Sequence, residues 1–105
     1  MKSSKKILIL PGDGVGPEVC KEALKVMNSL SNLPFELDFE IDLIGGASID
    51  KFKTPLSPEV LEKAKISDSI LLGAVGGKKW DSLIPSERPE KGLLELRSKL
   101  NFFAN

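Results

Sequence analysis

Histidine and tyrosine are both missing from this sequence, and cysteine and tryptophan occur once each. Without an imidazole, a Ser-His-Asp triad and a histidine-built zinc site are excluded, so proton transfer within the chain would fall to Asp, Glu, Lys or the single thiol. That thiol, Cys20, cannot close an intramolecular disulfide; it lies in a helical stretch where a small buried side chain is expected, which fits a reducing compartment. Net charge is lacking too, with 15 Lys+Arg against 15 Asp+Glu. No long-range field therefore draws in a polyanion or an anionic membrane surface, and neither nucleic acid nor membrane is an expected partner. Long apolar runs are also absent. Ile7 to Leu10, behind the basic start Met1 to Lys6, is too short for a signal-peptide core or a membrane span, so a cytoplasmic location is expected. The 105 residues, 41% of them hydrophobic, supply one small core, which sets one domain or part of one as the ceiling.

What is present has an α/β rhythm. Ile7-Leu8-Ile9-Leu10 is an apolar run ended by Pro11-Gly12, as expected of a strand buried on both faces. The turn Gly12-Asp13-Gly14-Val15-Gly16 leads to Pro17-Glu18, which suit the first turn of a helix. Val19, Ala23, Leu24, Met27 and Leu30 then follow at helical spacing. From Phe35 the period changes to two: Phe35, Leu37, Phe39, Ile41 and Leu43 alternate with Glu36, Asp38, Glu40 and Asp42, the pattern of a half-exposed strand. The four acids are read as a solvated sheet face, because a strand spaces them along one side without a further converging ligand. Gly45-Gly46 closes that strand, and a polar loop leads to Ser57-Pro58-Glu59, the order a helix start prefers, for a second helix to about Lys65. Ser69 to Gly73 is another buried strand, and a third helix is expected from about Pro89 to Leu100. Asn101 to Asn105 looks like the opening of a further strand. The fold class is therefore α/β, a sheet flanked by helices.

Three segments could carry chemistry. Gly12-x-Gly14-x-Gly16 followed by proline does not match the dinucleotide spacing Gly-x-Gly-x-x-Gly; it reads as a tight turn or a ligand loop. After the strand at Ile70, Gly76-Gly77 could admit a ligand to the backbone, Lys78 and Lys79 could meet phosphate, and Trp80 could stack. The same loop reads equally as a flexible basic surface turn with Trp80 packed back on the domain. On the third helix Glu90, Leu93, Leu94 and Arg97 fall at i, i+3, i+4 and i+7 and share a face. That face could hold a small branched carboxylate, with hydrocarbon on the leucines and the carboxylate on the Arg97 fork. The plainer alternative is an amphipathic helix whose core residues are Leu93, Leu96 and Leu100.

Taken together, Leu10-Pro11-Gly12-Asp13-Gly14-Val15-Gly16-Pro17-Glu18-Val19, Gly45-Gly46-Ala47-Ser48-Ile49-Asp50, Leu72 through Asp81, and Arg88-Pro89-Glu90-Lys91-Gly92-Leu93-Leu94-Glu95-Leu96-Arg97 resemble the 3-isopropylmalate dehydrogenases in order and spacing. The first motif alone is shared with isocitrate and tartrate dehydrogenases; Gly92-Leu93-Leu94 is what points to isopropylmalate. The resemblance implies an oxidoreductase that oxidises 3-isopropylmalate with NAD and decarboxylates the ketoacid with Mg2+ or Mn2+ in leucine biosynthesis, as a homodimer of two-domain subunits. On it, residues 1–105 are an incomplete amino-terminal α/β domain of that fold. Arg97 is implied to bind substrate carboxylate, Leu93 and Leu94 the isopropyl group, and Glu90 to lie between substrate and nicotinamide. Val15, Gly76, Gly77, Lys78, Lys79, Trp80 and Asp81 are implied to surround the cofactor. Lys78 stands where the family usually has proline, which loosens the loop. No catalytic residue is implied within the segment; the family's catalytic Tyr and Lys and its metal-binding Asp residues belong to later sequence, so the chain alone is expected to be inactive. The alternatives are a paralogue acting on isocitrate, homoisocitrate or tartrate, or a non-catalytic fragment with a binding or structural role.

Overall fold

A computed structural model describes residues 3–30 and 32–100. Three parallel strands, β1 (Ser3–Gly12), β2 (Phe35–Ile41) and β3 (Ser69–Ala74), form one sheet in the order β2-β1-β3. Among the described residues four helices accompany them: α1 (Gly16–Asn28), α2 (Gly46–Phe52), α3 (Pro58–Ile66) and α4 (Pro89–Leu100). The expected α/β class is observed. The expected extra strand at residues 101–105 lies outside the described residues.

The central strand behaves as its composition demands: Leu8, Ile9 and Leu10 are each at most 1% exposed, because helices cover both faces of the sheet. Register puts Leu8 beside Ile70 and Leu10 beside Leu72 on one face. There they meet Ile44, Leu56, Val60, Ala64 and Leu96, which come from the loop after β2, the approach to α3, α3 itself and α4. Each fully buried Leu or Ile in this cluster contributes about 1.5–3 kcal/mol. On the opposite face Ile9 and Ile41, paired through the register, line one apolar hollow together with Pro17, Cys20 and Leu24 of α1. Cys20 is buried as expected, and burial pushes its thiol pKa up. Its sulfur approaches the sheet at Gly73, where a Cβ would come within 3.1 Å of it.

Four sequence expectations need correction. β1 starts at Ser3, not Ile7, because the polar residues Ser3 to Lys6 pair with Phe35 to Asp38 of the longer edge strand. The inward stripe of α1 is Cys20, Ala23, Leu24 and Met27; Val19 is 58% and Leu30 53% exposed, so the buried face is rotated by one residue. β2 ends at Ile41, which is itself exposed, so Leu43 is not part of the strand. The segment expected as a polar loop after Gly46 is a helix, α2. Seven residues opening with glycine carry no readable periodicity, and the N-cap Gly45 has no side chain to bond the first turn. The cap arrives from Asp13 instead, far away in sequence.

α3 begins where expected, with the Ser57 hydroxyl accepting from the Val60 N–H at 3.3 Å. Glu36, Asp38 and Glu40 on β2 are exposed, and Lys63 bridges Glu40 at 3.1 Å and Asp42 at 2.6 Å. Among the described residues no helix is long and apolar enough to cross a membrane.

Candidate functional site

The carboxyl ends of parallel strands are where backbone N–H groups and helix starts gather, and in this sheet β1 and β3 both release glycine-bearing turns on that side. The first turn is built by close approach. A Cβ on Gly16 would lie 1.9 Å from the Pro11 carbonyl oxygen, so only glycine lets α1 start against β1. Gly14 differs: its φ is +58 and a Cβ there would meet nothing within 4 Å, leaving open space beside it. Both readings of this turn therefore have a place in it, tight packing at Gly16 and room for a ligand at Gly14.

Asp13 is the centre of the arrangement. Its side chain is buried, 5% exposed, and accepts three backbone hydrogen bonds: from Gly46 N at 2.7 Å, from Ala47 N at 2.8 Å and from Gly76 N at 2.9 Å. One carboxylate thus caps α2 and pins the loop after β3. Charge-assisted bonds of this kind offset the desolvation of the buried acid.

Beyond Gly76 the chain turns through Gly77 into a single 3-10 turn, Lys78–Trp80. Lys79 and Trp80 both reach back to α2: Lys79 Nζ lies 2.7 Å from Asp50 Oδ2, and Trp80 Nε1 donates to Asp50 Oδ1 at 3.2 Å. The Lys79 ammonium and then the Trp80 N–H hold the Asp50 carboxyl below its usual value. The Trp80 ring packs on Gly46, where a Cβ would come within 2.2 Å of Cζ2. Trp80 is half-buried in this contact, as in the packed-back alternative, while Lys78 remains exposed at the start of the turn. The Asp81 carbonyl accepts from Arg88 Nη2 at 3.0 Å and the Leu83 carbonyl from Arg88 Nε at 2.8 Å, tying the end of the loop to the residue before α4.

α4 returns the chain to the same place. Its buried residues are Pro89, Gly92 and Leu96, with Leu93 and Leu100 half-buried. Gly92 permits this docking, since a Cβ there would lie 2.6 Å from the Pro55 carbonyl oxygen. Glu90, Leu94 and Arg97 consequently face solvent, Leu94 being 58% exposed. Glu90 lies against the glycine loop: a Cβ on Gly76 would come within 2.5 Å of Glu90 Oε1. Arg97 makes no hydrogen bond or ion pair with another described residue.

The structure brings Gly76 and Glu90 into contact, ties Gly76 to Asp13, and puts the exposed Val15 two residues from that acid. It turns Lys79 and Trp80 toward α2. Asp13, Asp50 and Arg88 are supports that sequence reading left unassigned, because their partners are backbone groups or side chains distant along the chain. Gly14 with open space beside it, the exposed apolar Val15 and the exposed Lys78 are residue types that suit contact with a dinucleotide. A metal ion does not fit in the same way: among the described residues no three of His, Cys, Asp and Glu are grouped to hold one.

A family model described as isocitrate/isopropylmalate dehydrogenase matches residues 6–105. Among curated relatives, a 3-isopropylmalate dehydrogenase of Pseudomonas putida is 57% identical and one of Pseudomonas syringae pv. syringae 56% identical, each over 97% of this chain and 29% of the relative. The chain thus spans less than a third of the length of those relatives. Among solved structures, a β-decarboxylating dehydrogenase from Thermococcus kodakarensis in its apo form aligns with a TM-score of 0.74 at 29% identity, over 92% of this chain and 27% of the other. Isocitrate dehydrogenase from Methylococcus capsulatus aligns with a TM-score of 0.61 at 26% identity, over 92% of this chain and 26% of the other.

Proposed function

The chain belongs to the isocitrate/isopropylmalate dehydrogenase family, and we propose that within it the chain is the amino-terminal α/β segment of an NAD-dependent 3-isopropylmalate dehydrogenase. The complete enzyme would be a cytoplasmic homodimer of leucine biosynthesis. The observation that carries this reading is the solvent face of α4, where an exposed leucine lies between a carboxylate set against the glycine loop and a guanidinium.

Leu94 and Arg97 are separated by about 4.5 Å along the axis at 1.5 Å per residue, so one small molecule can touch both. Arg97 offers a planar fork for a substrate carboxylate, and Leu94, with the half-buried Leu93, offers hydrocarbon to an isopropyl group. A substrate bearing a further carboxylate at that position, such as isocitrate, would have to desolvate it against leucine, which is costly. NAD, when bound, supplies the acceptor for the hydride. This chain's residues orient the reactants: Val15 and the loop from Gly76 to Asp81 border the cofactor, and Glu90 stands between loop and substrate. The divalent metal is assigned no residue here.

The experiment is a substrate panel on the full-length enzyme carrying this segment, followed by NADH absorbance with 3-isopropylmalate, isocitrate, homoisocitrate and tartrate. The highest kcat/KM is expected with 3-isopropylmalate, and no turnover from residues 1–105 alone. A preference for any of the other three would refute the substrate assignment.

A further inference from the structure

We propose that α2 is the scaffold that presents the cofactor loop, and that Asp13 and Asp50 are positioning residues for the dinucleotide rather than members of its site. The proposal rests on the cofactor reading of Gly76 to Asp81 and deepens it.

The loop has little to hold itself. Gly76, at φ +101, and Gly77 open it, and among the described residues its only regular element is one 3-10 turn. Its start and its 3-10 turn are instead fastened to one seven-residue helix, while Asp81 at its end is held by Arg88. At Gly76 the fastening passes through Asp13, whose Oδ2 accepts from Gly76 N and Gly46 N together, so the loop and the start of α2 share one oxygen. At Lys79 and Trp80 the fastening is Asp50 in the body of α2, which spends one oxygen on each. The indole resting on Gly46 fills the space between the two anchors.

This arrangement has a consequence for charge. Lys79 is held to Asp50, so Lys78 is the ammonium of the loop left free among the described residues to meet a phosphate. The loop is therefore set before the ligand arrives, and loosening it lowers the fraction of molecules competent to bind NAD while leaving the chemical step alone.

The test is steady-state kinetics on the full-length enzyme with Asp50→Asn, Lys79→Met and the double variant. Asp50 is exposed enough that these changes leave the core intact. If the anchored loop falls to a fifth of the population, KM for NAD rises about fivefold. For Asp50→Asn, which lies outside the site, kcat and KM for isopropylmalate are expected to stay within about twofold. The double variant should cost no more than either single one, because both remove the same pair. Asp50→Glu should recover part of the loss. Asp13→Asn should raise KM for NAD further, and its melting temperature, read beside the kinetics, separates loop loosening from general unfolding. An unchanged KM for NAD in both single variants, or an equal rise for the two substrates, would overturn the proposal. A parent enzyme that does not reduce NAD would instead remove the functional reading, and with it the ligand for which the loop is held.

Discussion

Two glycines of one turn, two residues apart, should respond oppositely to the same added methyl group. At Gly16 a Cβ would lie 1.9 Å from the Pro11 carbonyl oxygen and 2.9 Å from Ala74 N, both backbone atoms. Neither can give way locally, because Gly12 is paired with Ala74 in the sheet and Asp13 N donates to the Ala74 carbonyl. Relief requires the start of α1 to move off the sheet by more than an ångström, and overpacking against fixed backbone puts the loss for Gly16→Ala at about 3–4 kcal/mol. At Gly14 the added atom meets nothing within 4 Å and the cost is the left-handed backbone alone, φ +58. For Gly14→Ala that is about 1 kcal/mol. Thermal melts followed by far-UV circular dichroism, with parent and variants side by side, should show falls in Tm of about 4–8 °C for Gly14→Ala and about 12–30 °C for Gly16→Ala. Equal falls, or a larger one at Gly14, would refute the close-packing account of this turn.

Removing the hydroxyl that caps α3, by Ser57→Ala, should cost about 1 kcal/mol, read as a Tm fall of about 4–8 °C; no change would mean that the 3.3 Å bond to Val60 N contributes nothing. Lys63 has its pKa raised, first by the hydrogen bond to Asp42 and then by that to Glu40. Its contribution is complete below the ordinary value of about 10.5 and is lost as pH rises through the higher folded value, so the parent should lose Tm above pH 10.5 more steeply than Lys63→Met. Parallel curves would contradict the pairing.

Much of this fold is legible because it is local. The apolar run at Ile7 to Leu10 announces a central strand, and the serine, proline and glutamate at residues 57–59 announce a helix start. α2 is invisible for the opposite reason, since its cap is a carboxylate 33 residues away from the N–H it binds at Gly46. The shift of the buried stripe on α1 from Val19 to Cys20 has a tertiary cause as well: Gly73 leaves room for a sulfur that periodicity alone does not reveal. For the candidate site, spacing put Glu90, Leu93, Leu94 and Arg97 on one face; Glu90, Leu94 and Arg97 are exposed, while Leu93 is half-buried. It could not show which way that face points. The direction follows from Gly92, whose missing side chain lets the other side of α4 lie on Pro55 and so turns Leu94 and Arg97 outward. Asp13 and Asp50 escaped notice because a carboxylate that binds backbone or a distant lysine carries no motif of its own.

The central claim, that the outward face of α4 receives the substrate, is tested most directly by kcat/KM of the full-length enzyme for 3-isopropylmalate after Arg97→Ala. Loss of a charged hydrogen-bond pair of about 2–4 kcal/mol predicts a fall of roughly 30- to 1,000-fold with melting temperature nearly unchanged. A kcat/KM equal to that of the parent would take Arg97 out of the site and leave the face without its ligand.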